Sequence, residues 1–396
     1  MYRRRRSSSI NCGKSVMDFS YTEEQQLIQK TARDFAREHL SPGVIDRDEK
    51  AEFPKEQLKL LGELGFMGMM IPEEWGGAGF DTISYCIAME EISAADASMG
   101  VIMSINNSLV CQLLYKYAND GLREKYLKKL AAGEWLGAFS LSEPQSGSDA
   151  SNMLTYAVKD GDQYVINGTK NWVSNGISSD LVVVFLMTEK GVGHKGISAL
   201  IVEKDTPGLS RGKKEDKLGI RGSDTCELYF DDCKVPVENL ISDEGKGFKV
   251  ALGVLDGGRI GIASQALGIA KAALDRSVEY ANERKQFGKT IGSFGAIKDK
   301  IATMATNVDA SRLLIHRAAK LKDEGKSFSK EAAMAKVFAS QTAMDNATEC
   351  VQIYGGYGYM QEYGVERLMR DAKITQIYEG TSEIQQLVIA REILGN

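Results

Sequence analysis

Apolar positions recur at helical spacing through the first third of the chain. Leu27, Ile28, Ala32, Phe35 and Ala36 form one stripe behind Thr22-Glu23-Glu24-Gln25, a capping-box pattern, and Ser41-Pro42 closes it. A second helix is predicted over residues 55–64. Asp81 then stands before Ile83, Ile87, Ala88, Ile92 and Ala95, again at helical intervals, and further helices are predicted over 99–117 and 121–132. From Gly137 to about Val237 short β-rich runs alternate with turn signals. Strands are predicted over 164–166, 169–173, 181–187, 196–202 and 227–230, with Asn167-Gly168 read as a hairpin turn. This spacing predicts a compact antiparallel sheet, sandwich or barrel of about a hundred residues. After Gly245 the helical period returns: a run over 248–255, a turn at Asp256-Gly257-Gly258-Arg259, and a long helix to about Arg284 rich in small residues. Helices over 296–324, 329–354, 365–373 and 382–393 follow, with Gly355-Gly356 breaking the second of them.

The expected fold is therefore mainly α with a central β-domain. The predicted parts are an extension at 1–16, a helical domain at 17–136, a β-domain at 137–247 and a helical bundle at 248–396. The extension carries Arg3-Arg4-Arg5-Arg6 and Ser7-Ser8-Ser9 with no acid. That composition suits an organelle presequence or a disordered segment ahead of Met17. A bacterial cytoplasmic location follows from the second reading and the mitochondrial matrix from the first.

Composition removes some classes of function. A chain of 396 residues exceeds one small core. Its 43% hydrophobic and 26% charged content is that of an ordinary globular protein. The net charge of −5 disfavours nucleic acid as a partner. No apolar run in the pattern approaches the roughly 20 residues that span a membrane, so membrane insertion is not expected. The six cysteines are scattered without a C-x-x-C pair, which fits reduced thiols. Three isolated histidines disfavour a zinc site or a Ser-His-Asp triad.

Two motifs invite chemistry. Gly191-Val192-Gly193-His194-Lys195-Gly196 matches G-x-G-x-x-G, but a strand-like run follows where a dinucleotide site needs a helix, so it reads as a hairpin loop. Near the C-terminus, Glu379 lies between Ile377-Tyr378 and Gly380, with Thr381 placed to cap the last helix. An acid before a helix is commonly just a favourable dipole partner. A carboxylate on such a loop against apolar walls can also be tuned as a general base.

Six separated stretches tip that balance. They are Leu141-Ser142-Glu143-Pro144 with Gly147-Ser148-Asp149; Lys170 to Gly176; Gly219 to Thr225; Glu283 to Gly288; Gln352-Ile353-Tyr354-Gly355-Gly356; and Arg370-Asp371-Ala372-Lys373 ahead of Tyr378-Glu379-Gly380. Together they resemble the acyl-CoA dehydrogenases over essentially everything from Phe19 onward. The likeness is greatest to the short-chain, butyryl-CoA branch. The resemblance implies FAD, a homotetramer and oxidation of an acyl-CoA substrate to its trans-2-enoyl product, with electrons leaving through an electron-transferring flavoprotein. It implies that Phe139, Ser140, Leu141, Ser142, Gly147, Ser148, Trp172, Val173 and Ser174 line the flavin. Arg284, Phe287, Gln352, Ile353, Tyr354, Gly355 and Gly356 would meet the rest of FAD across a subunit interface, and Thr381, Ser382 and Glu383 would touch it too. Ser148, Asp256, Gly257, Gly258, Arg259 and Gly380 would meet the acyl-CoA. Each has a plainer reading: caps for Ser142 and Thr381, a core aromatic for Trp172, a helix stop for Gly355-Gly356, and a solvated pair for Asp256 and Arg259.

The implied mechanism has Glu379 take the α-proton while a β-hydride passes to flavin N5, the thioester carbonyl being held by the Glu379 N–H and a ribityl hydroxyl. Some relatives carry the base at the position of Gly258, which cannot serve. Gly295 stands where the family usually has a flavin-touching glutamine, so that role is not carried over. The rival readings are a same-fold oxidase, a branched short-chain dehydrogenase and a non-catalytic DNA-associated relative. Peroxide formation in air would mark the oxidase. Failure of any acyl-CoA to bleach the flavin would mark the non-catalytic relative.

Overall fold

The computed structural model describes residues 19–395; the expectations for residues 1–16 and Met17 lie outside them. Helices come first. The Glu23–Phe35 helix opens on Thr22, whose hydroxyl accepts from the Gln25 N–H while the Gln25 side chain accepts from the Thr22 N–H, a complete capping box. Asp81 caps the Thr82–Ala95 helix by accepting from the Ser84 N–H at 2.7 Å. Ala97–Ser104, Ile105–Cys111 and Gln112–Tyr117 then form one helical run with a π-type middle. That run corrects the expectation from composition. It spans 21 residues at mean hydropathy 1.3, enough by length to cross a membrane, yet its apolar window is entirely buried. Its apolar character is used in the core of this fold.

The middle segment is one eight-stranded sheet: β1 Gly137–Ser140, β2 Tyr156–Asp160, β3 Gln163–Ser174, β4 Leu181–Met187, β5 Ile197–Glu203, β6 Leu209–Arg211, β7 Thr225–Pro236 and β8 Leu240–Ile241. The order is β6-β7-β3-β2-β4-β5-β8, with β1 also on β4. Against the expectation of an antiparallel sandwich or barrel, the sheet is mixed and open. Both β1 and β2 run parallel to β4, because the chain loops away after β1 instead of turning back on it. β4 is buried at every position, as a strand covered on both faces must be.

Two readings of glycine change. Asn167-Gly168 is not a hairpin turn: β3 runs straight through it, with a bulge against β7. Asn167 exchanges hydrogen bonds of 3.0 Å with Asp232, and a Cβ on Gly168 would lie 2.5 Å from Thr155 Oγ1 at a φ of +141°. Asp256-Gly257-Gly258-Arg259 is not a turn either. It lies inside one helix, Gly247–Glu283. By contrast, Gly191–Gly196 is the loop between antiparallel β4 and β5, as its context predicts.

The long helix is the spine of the C-terminal part. Gly295–Asp323 and Ser329–Tyr354 pack on it, as does Thr82–Ala95 from the first part. Phe287 and Gly288, both at positive φ, turn a small ribbon of Lys285–Gln286 and Lys289–Thr290 after it. Val365–Thr375 and Ser382–Leu394 end the chain, with Glu379 in the loop between them.

One buried ion pair ties β3 to the segment after β1. Lys170 Nζ donates to Glu143 Oε1 at 2.8 Å and to the Leu141 carbonyl at 3.0 Å, with both side chains almost wholly removed from solvent. Glu143 also accepts from the Leu154 and Thr155 N–H groups. Lys170→Met strands a buried carboxylate and should destabilise the protein by about 3–5 kcal/mol in urea unfolding. A loss below about 1 kcal/mol would show the pair behaving as a solvated one.

Candidate active site

Glu379 sits at the junction of three helices and in a backbone conformation few glutamates adopt, with φ +52°. The loop is pinned around it. Lys336, fully buried in the Ser329–Tyr354 helix, donates to the Gly380 carbonyl at 2.5 Å. The Gln385 amide, also buried, donates to the carbonyls of Glu379 and Gly380 at 3.1 Å each. On the other side the Tyr378 hydroxyl donates to Gln265, whose amide donates to the Ala97 carbonyl at 2.8 Å. These bonds hold a strained residue in place, a pattern that marks functional positions.

The carboxylate itself is left free. Glu379 Oε2 is buried without a hydrogen-bond partner. It occupies a gap that Gly258 makes: a Cβ there would lie 2.1 Å from Glu379 Oε2. Two glycines inside a helix cost about 1 kcal/mol each relative to alanine. Here the second one admits the carboxylate. No intrachain acceptor takes the Glu379 N–H among the described residues. Burial pushes the carboxyl up from the usual glutamate range to about 7, against the pull of Lys336 and Arg259. Lys336 in turn is pushed down to about 8, by burial first and by the Arg259 charge, with Glu379 opposing.

Of the substrate residues implied by resemblance, Arg259 is buried and bonded to Asp256 at 2.5 Å, and the Ser329 hydroxyl donates to Asp256. The solvated-pair reading of Asp256 and Arg259 therefore fails. Gly257 and Gly258 adjoin Asp256 and Arg259 in the same helix, Gly380 follows Glu379 in the loop, and Ser148 is exposed on the segment after Glu143.

The implied flavin residues form two groups. In the first, the Asn171 N–H donates to the Ser142 carbonyl at 2.9 Å, which sets 139–142 beside 172–174. Phe139 packs on Phe185 at 4.9 Å, Ser140 Oγ is buried without a partner, and Gly147 and Ser148 are open. Trp172 is 62% exposed at φ +58°, so it is no core aromatic. Val173 points instead into the core of the sheet. In the second group, Arg284, Tyr354, Ile353, Gly355 and Gly356 line a cleft of ≈ 440 Å³, with Arg284 over Tyr357 at 5.2 Å. Phe287 is 92% exposed and Gln352 is exposed. Among the described residues no hydrogen bond joins the two groups. Thr381 caps the last helix, its Oγ1 accepting from the Ile384 N–H, and Ser382 and Glu383 form its first turn. Open aromatic faces, an unpaired hydroxyl, a guanidinium and bare glycine backbone fit a large planar cofactor with an anionic middle. A Cβ on Gly295 would meet nothing within 4 Å, so the missing glutamine side chain leaves open space.

Lys336, Gln385 and Gln265 were missed by sequence reasoning. A signal for Lys336 was present: it falls on the stripe Ala332, Ala339, Ala343, where a lone lysine among buried alanines needs a reason.

Known proteins resemble this chain over most of its length. Three family models match in order: "Acyl-CoA dehydrogenase, N-terminal domain" over residues 22–134, "middle domain" over 138–233 and "C-terminal domain" over 245–394. The mouse protein named short-chain specific acyl-CoA dehydrogenase, mitochondrial, is 50% identical over 94% of this chain and 90% of its own length. The butyryl-CoA dehydrogenase structure from Megasphaera elsdenii is 48% identical at TM-score 0.94, covering 96% of this chain and 100% of that one. A chain of the structure described as the electron transferring flavoprotein of Acidaminococcus fermentans is 49% identical at TM-score 0.95, over 96% of this chain and 100% of that one.

The charges facing Glu379 are Lys336 from one helix and Arg259 from the spine; Tyr85 on the Thr82–Ala95 helix also lies within electrostatic reach. A carboxyl raised to about 7 is a base only above that pH. The acid limb of kcat/KM should therefore fall near pH 7 and not in the ordinary glutamate range. Lys336→Met removes a stabilising charge, so the limb should move to higher pH. An unmoved limb would show that Lys336 only packs.

Proposed function

The chain belongs to the acyl-CoA dehydrogenase family, and from that premise we propose that it oxidises a short-chain acyl-CoA to the trans-2-enoyl-CoA, with Glu379 as the base. One observation carries the reading. Glu379 is held at positive φ, its Oε2 buried and unpartnered and its carboxyl pushed up to about 7, in a gap that a glycine at 258 leaves open.

The family is FAD-dependent, and FAD when bound supplies the acceptor for the β-hydride. The protein's own part is alignment and proton removal. Glu379 takes the α-proton, a weakly acidic C–H that needs both a placed base and a polarised thioester. The free Glu379 N–H would donate to the thioester carbonyl, while Lys336 and Gln385 hold the loop carbonyls that follow it. Burial excludes water and raises the basicity of the carboxylate. Ser140, Trp172 and their neighbours would hold the flavin end, and Arg284 with Gly355 and Gly356 the far end of a cofactor shared between subunits.

Short-chain substrates are supported by the names of the mouse and Megasphaera relatives. An electron-transferring flavoprotein as acceptor is supported by the Acidaminococcus structure. A homotetramer would cover Phe287, Leu387, Ile393 and Leu394, all large, apolar and exposed in the single chain.

Butyryl-CoA added anaerobically should bleach the flavin of the wild-type protein. Glu379→Gln should keep FAD and the fold yet lose about 10²–10⁴ in the reduction rate. Reduction within tenfold of wild type would remove Glu379 from the role.

A further inference from the structure

We propose that Tyr85, held by Ser104 beneath Gly261, is the floor of the acyl pocket and sets its short-chain limit, an inference that rests on Glu379 being the base of an acyl-CoA dehydrogenase. Gly258 and Gly261 lie three residues apart on one face of the Gly247–Glu283 helix. What stands against each is different. A Cβ on Gly258 would lie 2.1 Å from Glu379 Oε2 and 2.8 Å from Leu109 Cδ2. A Cβ on Gly261 would lie 2.5 Å from Ser104 Oγ and 2.6 Å from Tyr85 Oη. Three residues of helix rise roughly 4.5 Å. Within that rise the face passes from the reacting carboxylate, past an apolar leucine, to a pair of hydroxyls.

Those hydroxyls form a fixed layer. Tyr85 is fully buried and donates to Ser104 Oγ at 3.1 Å. Ser104 Oγ lies 3.3 Å from Ser108 Oγ, and Ser108 donates to the Ser104 carbonyl at 2.7 Å. Swinging the ring aside would leave a buried hydroxyl unpaired, which is costly. Burial raises the Tyr85 hydroxyl well above the usual tyrosine range against the Ser104 and Ser108 hydrogen bonds, with the Cys86 and Glu379 charges adding to the rise.

In this proposal an acyl chain with its α-carbon at Glu379 runs along the glycine face toward that layer. A butyryl group ends before the hydroxyl layer. Each further methylene must displace the ring or fold back, and a pocket wall of this kind discriminates by about 10–200-fold per methylene. Tyr85 belongs to the first helical domain, so chain length is read by an element distant in sequence from both Glu379 and Gly258.

The test compares kcat/KM of the FAD-loaded enzyme for butyryl-, hexanoyl-, octanoyl- and decanoyl-CoA. Wild type should lose at least tenfold between butyryl- and octanoyl-CoA. Tyr85→Ala should shrink that ratio by tenfold or more, and Tyr85→Leu, which keeps more of the core volume, should shrink it partly. Tyr85→Phe keeps the ring but loses its anchor on Ser104, and should shrink the ratio less than Tyr85→Leu does. Equal ratios in wild type, Tyr85→Leu and Tyr85→Ala would overturn the proposal. So would a wild type that prefers octanoyl-CoA. Wild-type flavin that no acyl-CoA bleaches would instead overturn the dehydrogenase reading itself.

Discussion

A carboxylate left without a hydrogen-bond partner, one of its oxygens buried, is the constraint on which the rest depends. Glu379 Oε2 has no donor, and burial holds its carboxyl near 7 in spite of two nearby cations. Such a group persists only where the surroundings over-determine it. The supports come from far apart in sequence: Lys336 and Gln385 on the loop carbonyls, Gln265 on Tyr378, and Gly258 clearing the space. The long helix supplies two of these, which explains why it tolerates glycines that weaken a helix on their own.

The β-domain meets a matching requirement. In the proposed reading it presents exposed, rigid backbone to the cofactor without unravelling at its edge. The Lys170–Glu143 pair and the Asn171–Ser142 hydrogen bond lock the segment after β1 onto β3. Trp172 is thereby held outward in a left-handed conformation that a free chain would rarely visit.

Local signals in the sequence were read well where they act locally. The Thr22 capping box, the Asp81 cap and the change of period at Gly137 all reappear as elements. The loop reading of Gly191–Gly196 holds because its flanks are strands. Glycine was misread wherever its reason was tertiary. Asn167-Gly168 looks like a turn but is a bulge pressed on Thr155, and Gly257-Gly258 looks like a break but lies mid-helix against Glu379 and Lys322. The apolar run Ala97–Tyr117 was underrated for the same reason, since its neighbours and not its composition decide that it is core. Glu379 was legible through the family resemblance. Lys336 and Tyr85 were not, because a buried lysine in an alanine stripe and a tyrosine in an apolar helix declare a role only once the elements are packed together.

The most direct check is the loss of α-deuterium from 2,2-dideuterobutyryl-CoA to water, followed across pH. The account predicts a rate that rises with a midpoint near pH 7, where the buried Glu379 becomes a base. A midpoint in the ordinary glutamate range, about 4.3, would contradict it, as would a rate indifferent to pH.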